Sequence, residues 1–136
     1  MNIDKFKHQH VEILGCIAHL RKLAKVDIRG NAAHIAQGIV SMSSTIKLHL
    51  AVEDQVLYPA LRNGNHPELA ALGQQFQGEM GAIASAYMGF ASRWNHAAMV
   101  AENPEAFRAD ANKVLKIVHD RMHKENTVFY PAIEAL

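Results

Sequence analysis

The sequence predicts an all-α protein: one domain, residues 1–136, folded as an antiparallel up-down-up-down bundle of four helices. Three observations lead there. Apolar residues recur at spacings of three and four nearly everywhere, while period-2 alternation is scarce. Clusters that break helices fall in only three places: DIRGN at 27–31, RNGNHP at 62–67 and NHAAMVAENP at 95–104. The connections they leave are short, which makes successive helices antiparallel neighbours. A chain of 136 residues is also long enough to bury a sizeable core.

The four helices follow from these signals. The first runs from Ile3 to Lys25, the second from Ala32 to Arg62, the third from Pro67 to Trp94 and the fourth from Pro104 to Glu134. Pro67 and Pro104 suit first-turn positions, where a missing N–H costs nothing. At about 100° per residue, the first helix carries a stripe of Phe6, Ile13, Leu14, Ile17, Leu20 and Ala24, with His10 inside it. The second has Ile39, Met42, Ile46, Leu50, Val56 and Leu57, with His49 and Glu53 inside. The third has Leu69, Leu72, Phe76, Ile83, Tyr87, Phe90 and Trp94, with Glu79 near the middle. The fourth has Phe107, Ala111, Val114, Val118, Met122, Phe129 and Ile133, with Glu125 inside and Arg121 at the edge.

The inward polar set is therefore His10, His49, Glu53, Glu79, Arg121 and Glu125, with at least one residue from every helix. A buried carboxylate without a partner is costly, so it protonates, pairs or binds metal. Carboxylates and imidazoles on facing helices are how metal sites are built inside bundles. Mixed nitrogen and oxygen donors suit iron, manganese or zinc, and the lack of thiolates argues against a cysteine-type zinc site. Another pair has metal-ligand spacing, His119 and His123 in HDRMHKENTVFYP. Both lie well away from the stripe of their helix and read as a solvated flank.

Composition narrows the function. The net charge of +1 and the absence of a basic run predict no nucleic-acid partner. No stretch approaches the ~20 apolar residues of a membrane span, and MNIDKFKHQHVEI has no apolar signal core. With a single cysteine, Cys16, no internal disulfide forms. Together these predict a soluble cytoplasmic protein. On the third helix, Gly78, Gly81, Ala82, Ser85 and Gly89 share the face opposite the aromatic stripe. That face reads either as the contact of a homodimer or as a solvated surface.

One internal echo stands out. HLAVEDQVLYPAL (49–61) and RMHKENTVFYPAI (121–133) align without gaps through E-x4-Y-P-A. With KFKHQHVEIL around His10, these segments resemble the hemerythrin-like, HHE cation-binding domains over essentially the whole chain. The resemblance implies a four-helix bundle holding non-haem iron, usually as a di-iron centre with bridging carboxylates. It also implies roles in oxygen binding, in sensing of NO or redox state, in iron handling or in peroxide chemistry. Carried over by position, His10, His49, Glu53 and Glu125 match the family pattern. Glu79 stands where the family has a histidine on the third helix, and Arg121 replaces the first residue of the second H-x3-E.

The leading expectation is a carrier or sensor of oxygen, NO or iron, with one or two iron ions, or manganese or zinc, held by His10, His49, Glu53, Glu79 and Glu125. It has no catalytic residues and takes a small diatomic ligand or a metal ion as its partner. The alternatives are an iron or manganese enzyme consuming peroxide or oxygen, with Tyr58 or Tyr130 as proton donor, and a metal-free interaction bundle with a buried Glu/Arg network. Counting Glu53, Glu79 and Glu125 as −3 and Arg121 as +1 leaves −2, which one divalent ion neutralises. That count favours a mononuclear site with Arg121 in the second position. A carboxylate-rich dinuclear site with Arg121 swung outward stays open.

Overall fold

The computed structural model describes residues 1–136. It contains α1 (Asp4–Val26), α2 (Ala32–Val52, continued by a π-helical turn Glu53–Leu57 and by Tyr58–Arg62), α3 (Pro67–Trp94), a short α4 (Ala97–Glu102), and α5 (Pro104–Lys124, continued by a second π-helical turn Glu125–Phe129 and by Tyr130–Glu134). There are no strands. The first helix stops where Asp27 turns extended, and the Leu23 carbonyl, which accepts the Asp27 N–H, also accepts from the side chain of Asn31 at 3.1 Å. Pro67 and Pro104 open α3 and α5, as expected. At the end of α3, Trp94 Nε1 and Arg93 both donate to Asp110 Oδ2, which ties α3 to α5.

The apolar stripes merge into two separate cores. The larger includes Ile13, Ile17, Leu20, Ile35, Ile39, Met42, Ile46, Met80, Tyr87, Phe90, Phe107 and Val118. The smaller is built from Ile3, Phe6, Leu57, Tyr58, Leu61, Leu69, Phe76, Phe129, Tyr130 and Ile133. Each fully buried side chain of this size contributes about 1.5–3 kcal/mol. Chain direction alternates between the cores. α1 runs from Phe6 in the small core to Ile13 in the large one, α2 runs back from Ile46 to Leu57, α3 from Phe76 to Met80, and α5 from Met122 to Phe129. Where each of α1, α2 and α5 crosses from one core to the other it places polar residues: Gln9 and His10, then His49 and Glu53, then Arg121 and Glu125. All six are buried. A polar layer thus separates two apolar masses.

Two details depart from the sequence expectation. The segment 95–104, expected as a loop, contains α4, because Val100 is fully buried against the large core with Ala97 and Ala101 beside it. Val56, expected in the α2 stripe, is 54% exposed. The π-helical turn adds a residue to that turn and rotates Val56 outward, while Leu57 stays inside. On α3, Gly78, Gly81, Ala82 and Ser85 are exposed, and nothing packs where a side chain at Gly78 or Gly81 would lie. No helix is long and apolar enough to cross a membrane.

Candidate metal centre

The two copies of the internal echo have the same local structure. Each glutamate, Glu53 and Glu125, opens a π-helical turn that closes with a bond from the following tyrosine: Tyr58 N–H donates to Glu53 O, and Tyr130 N–H to Glu125 O. The cause is the next residue. Pro59 and Pro131 have no N–H to give to the carbonyls of Gln55 and Thr127, and their rings would collide with those oxygens in a regular α-turn. Widening the turn removes the conflict and brings residues five apart to the same side. Tyr130 Oη accordingly lies 3.3 Å from Glu125 Oε1.

Three donor atoms converge in the polar layer: His10 Nε2, His49 Nε2 and one oxygen of Glu125, all within 4.8 Å of one another. His10 Nε2 is 3.1 Å from His49 Nε2 and 2.9 Å from Glu125 Oε1, and His49 Nε2 is 3.7 Å from that oxygen. Glu53 Oε1 is 3.2 Å from His49 Nε2 but without the alignment of a hydrogen bond, and both oxygens of Glu53 lack any donor. Tyr130 Oη stands 3.0 Å from His10 Nε2, its ring stacked on the imidazole with centroids 4.9 Å apart.

The far nitrogens set the tautomers. His10 Nδ1 donates to Asn126 Oδ1 at 2.8 Å, and His49 Nδ1 donates to Gln9 Oε1 at 2.7 Å. These bonds leave the two Nε2 atoms, 3.1 Å apart, to share a proton or a metal ion. Burial lowers the pKa of His49, against the opposing pull of the Glu125 carboxylate. Burial pushes the Glu53 carboxyl well above its ordinary range, with the nearby Glu125 adding to the effect. Burial also opposes the charge of Glu125, but His10, His49 and Arg121 outweigh it and hold this carboxyl below its ordinary range.

This donor set fits a metal ion. Two Nε2 atoms this close repel unless a proton or a metal ion lies between them. Ligand atoms bound at about 2.0–2.2 Å to one ion stand roughly 3–3.5 Å apart, close to the spacings here. Glu53, buried with no donor, has the unmet need that a cation would satisfy.

Arg121 is buried and occupies the other side of Glu125. Its Nε donates to Glu125 Oε2 at 2.5 Å, its Nη2 to the Phe76 carbonyl at 2.7 Å and to Tyr58 Oη at 3.4 Å, and its guanidinium lies 4.7 Å above the centre of the Phe76 ring. Of the two carboxylates within its reach in the sequence, Glu79 and Glu125, Arg121 thus bonds Glu125.

Glu79 does not join the cluster. Its side chain is 41% exposed and accepts hydrogen bonds from Gln75 Nε2 at 3.0 Å and Lys124 Nζ at 3.3 Å, while Arg121 Nη1 stays 3.9 Å away. Gln75 first, then Lys124, hold its carboxyl below its ordinary range. The reason is that Met80, in line with Phe76 and Tyr87, takes the inward position on α3, which puts Glu79 on the flank. His119 and His123 sit on the outside of α5, as the sequence predicts. Sequence reasoning missed Gln9, Asn126 and the Phe76 carbonyl. Only their adjacency to His10 and Glu125 could have flagged the two amides.

No curated protein and no solved structure matches the chain. A family model, that of the hemerythrin HHE cation-binding domain, matches residues 1–133. With its helical bundle and a buried cluster of two histidines and a glutamate between the helices, this chain belongs to that family.

Proposed function

We propose that the protein is a non-haem iron carrier or sensor, with His10, His49, Glu125 and Glu53 as the ligands and Glu79 outside the set. One observation carries this reading: two imidazoles, each held through Nδ1 by an amide oxygen, aim their Nε2 atoms into a buried space shared with Glu125. His10, His49, Glu53 and Glu125 would hold the iron, which would supply the binding of a small ligand such as dioxygen or nitric oxide. The protein side of the chemistry is positional. Gln9 and Asn126 fix the rings and raise their basicity as ligands. Tyr130 Oη, 3.0 Å from His10 Nε2, offers a hydrogen bond at the same place. The apolar cores above and below limit water and so favour reversible binding over uncontrolled oxidation.

Metal analysis of the purified protein tests the reading. Bound iron is expected in the wild type and is lost in His10→Ala and in His49→Ala; a wild type that holds no iron, manganese or zinc defeats it. The same tyrosine supports a second reading, an enzyme that consumes peroxide or oxygen, because its hydroxyl is a proton donor beside the site. Steady-state turnover with peroxide or oxygen separates the two.

A further inference from the structure

We infer that Arg121 is a resident cation that fills the second half of the site and limits the centre to a single metal ion. The inference rests on the function proposed above.

The internal echo divides the centre into two equivalent halves. His49, Glu53, Tyr58 and Pro59 in α2 correspond to Arg121, Glu125, Tyr130 and Pro131 in α5. Both glutamates open π-helical turns, and both tyrosines close them. At the one non-equivalent position, an imidazole on α2 faces a guanidinium on α5. The two tyrosines diverge to match. Tyr130 Oη lies against His10 Nε2, while Tyr58 Oη accepts from Arg121 Nη2.

Arg121 is held in place rather than swung outward. It is 3% exposed and bonded at Nε and Nη2, and it stacks on Phe76. A guanidinium keeps its charge under essentially all conditions, so it acts as a fixed +1. It also commits Glu125. Oε1 of that carboxylate faces the histidines, and Oε2 accepts from Arg121, so a second ion on the Oε2 side would compete with the guanidinium for its place. With Glu79 at the surface, and with Glu53 and Glu125 both ionised as ligands, the buried formal charges are −2 from the two carboxylates and +1 from Arg121, a sum of −1. One divalent ion brings this to +1, and a second would bring it to +3 beside a guanidinium it would have to displace.

The test is metal counting on protein reconstituted anaerobically with excess ferrous iron and then desalted. Wild type is expected to hold one iron per chain. After oxidation, that iron is expected to give a high-spin ferric EPR signal that accounts for all of it. Arg121→Lys, which keeps the charge, is expected to stay at one. Arg121→His, which restores the symmetry with His49, is expected to move toward two irons, with loss of EPR intensity through coupling. Two EPR-silent irons per wild-type chain overturn the inference and leave the proposed function standing. A folded Arg121→His that still holds one iron also overturns it, because Arg121 then does not set the number. If Arg121→His fails to fold, the wild-type count decides alone. Wild type that binds no iron overturns the proposed function and this inference with it.

Discussion

Gln9 sits one residue before His10, yet it serves the other histidine: its amide oxygen accepts from His49 Nδ1. Asn126 does the same for His10 from the opposite helix. Such outer partners fix ring orientation and tautomer, and losing one costs about 10–100-fold in metal affinity. Gln9→Leu is therefore expected to weaken iron binding by about that factor while leaving the fold intact; an unchanged dissociation constant in a metal titration would show that His49 needs no such support. The converse holds for His119 and His123, which lie on the outside of α5. Replacing both by Gln should leave the iron content as it was, and loss of metal from that variant sinks the assignment of His10 and His49. Much of this layer was legible in the sequence, because His10, His49, Glu53 and Glu125 are polar residues in otherwise apolar stripes. Gln9 and Asn126 were not, since an amide beside a ligand carries no pattern of its own. Glu79 misled for a related reason. Placing residues by angle separates the centre of a stripe from the opposite face, but not the centre from a flank three residues from Phe76.

Helix boundaries followed from Pro67, Pro104 and the breaker clusters, and all four long elements run where those signals put them. The π-helical turns were hidden, although their cause stands in the sequence twice, as Tyr-Pro five residues after a glutamate. A constant angle per residue cannot report an inserted residue, and it therefore misassigned Val56. The two neighbours at this turn make a direct test. Val56→Asp is expected to change stability by no more than about 0.5 kcal/mol, as for an exposed site. Leu57→Ala, at a residue with no exposure, should cost about 2–5 kcal/mol. Urea unfolding measures both. Similar losses at the two positions would mean that the α2 stripe continues straight through and that the turn is not widened.

Across the whole molecule, the two apolar cores carry the stability and the polar layer between them works against it. Glu53 shows the conflict most clearly. It is fully buried, both of its oxygens lack donors, and its burial disfavours the charged form. An unsatisfied group of this kind costs about 1–3 kcal/mol. A bound cation would reverse the sign of that contribution, because a ligand that binds only the folded state stabilises it, by about 2.7 kcal/mol at a free concentration one hundred times Kd. The layer is therefore expected to trade stability of the metal-free protein for affinity. Glu53→Leu replaces the carboxylate by an apolar group of similar size. In chelator-treated protein this variant should be more stable than wild type by about 1–3 kcal/mol in urea unfolding. On adding iron, the thermal midpoint of wild type should rise with concentration, while that of Glu53→Leu should move much less. If the metal-free variant proves no more stable than wild type, the protein already accommodates Glu53 without strain or cost. The carboxylate would then have no need that only a cation can meet, and Glu53 would leave the ligand set, with His10, His49 and Glu125 remaining.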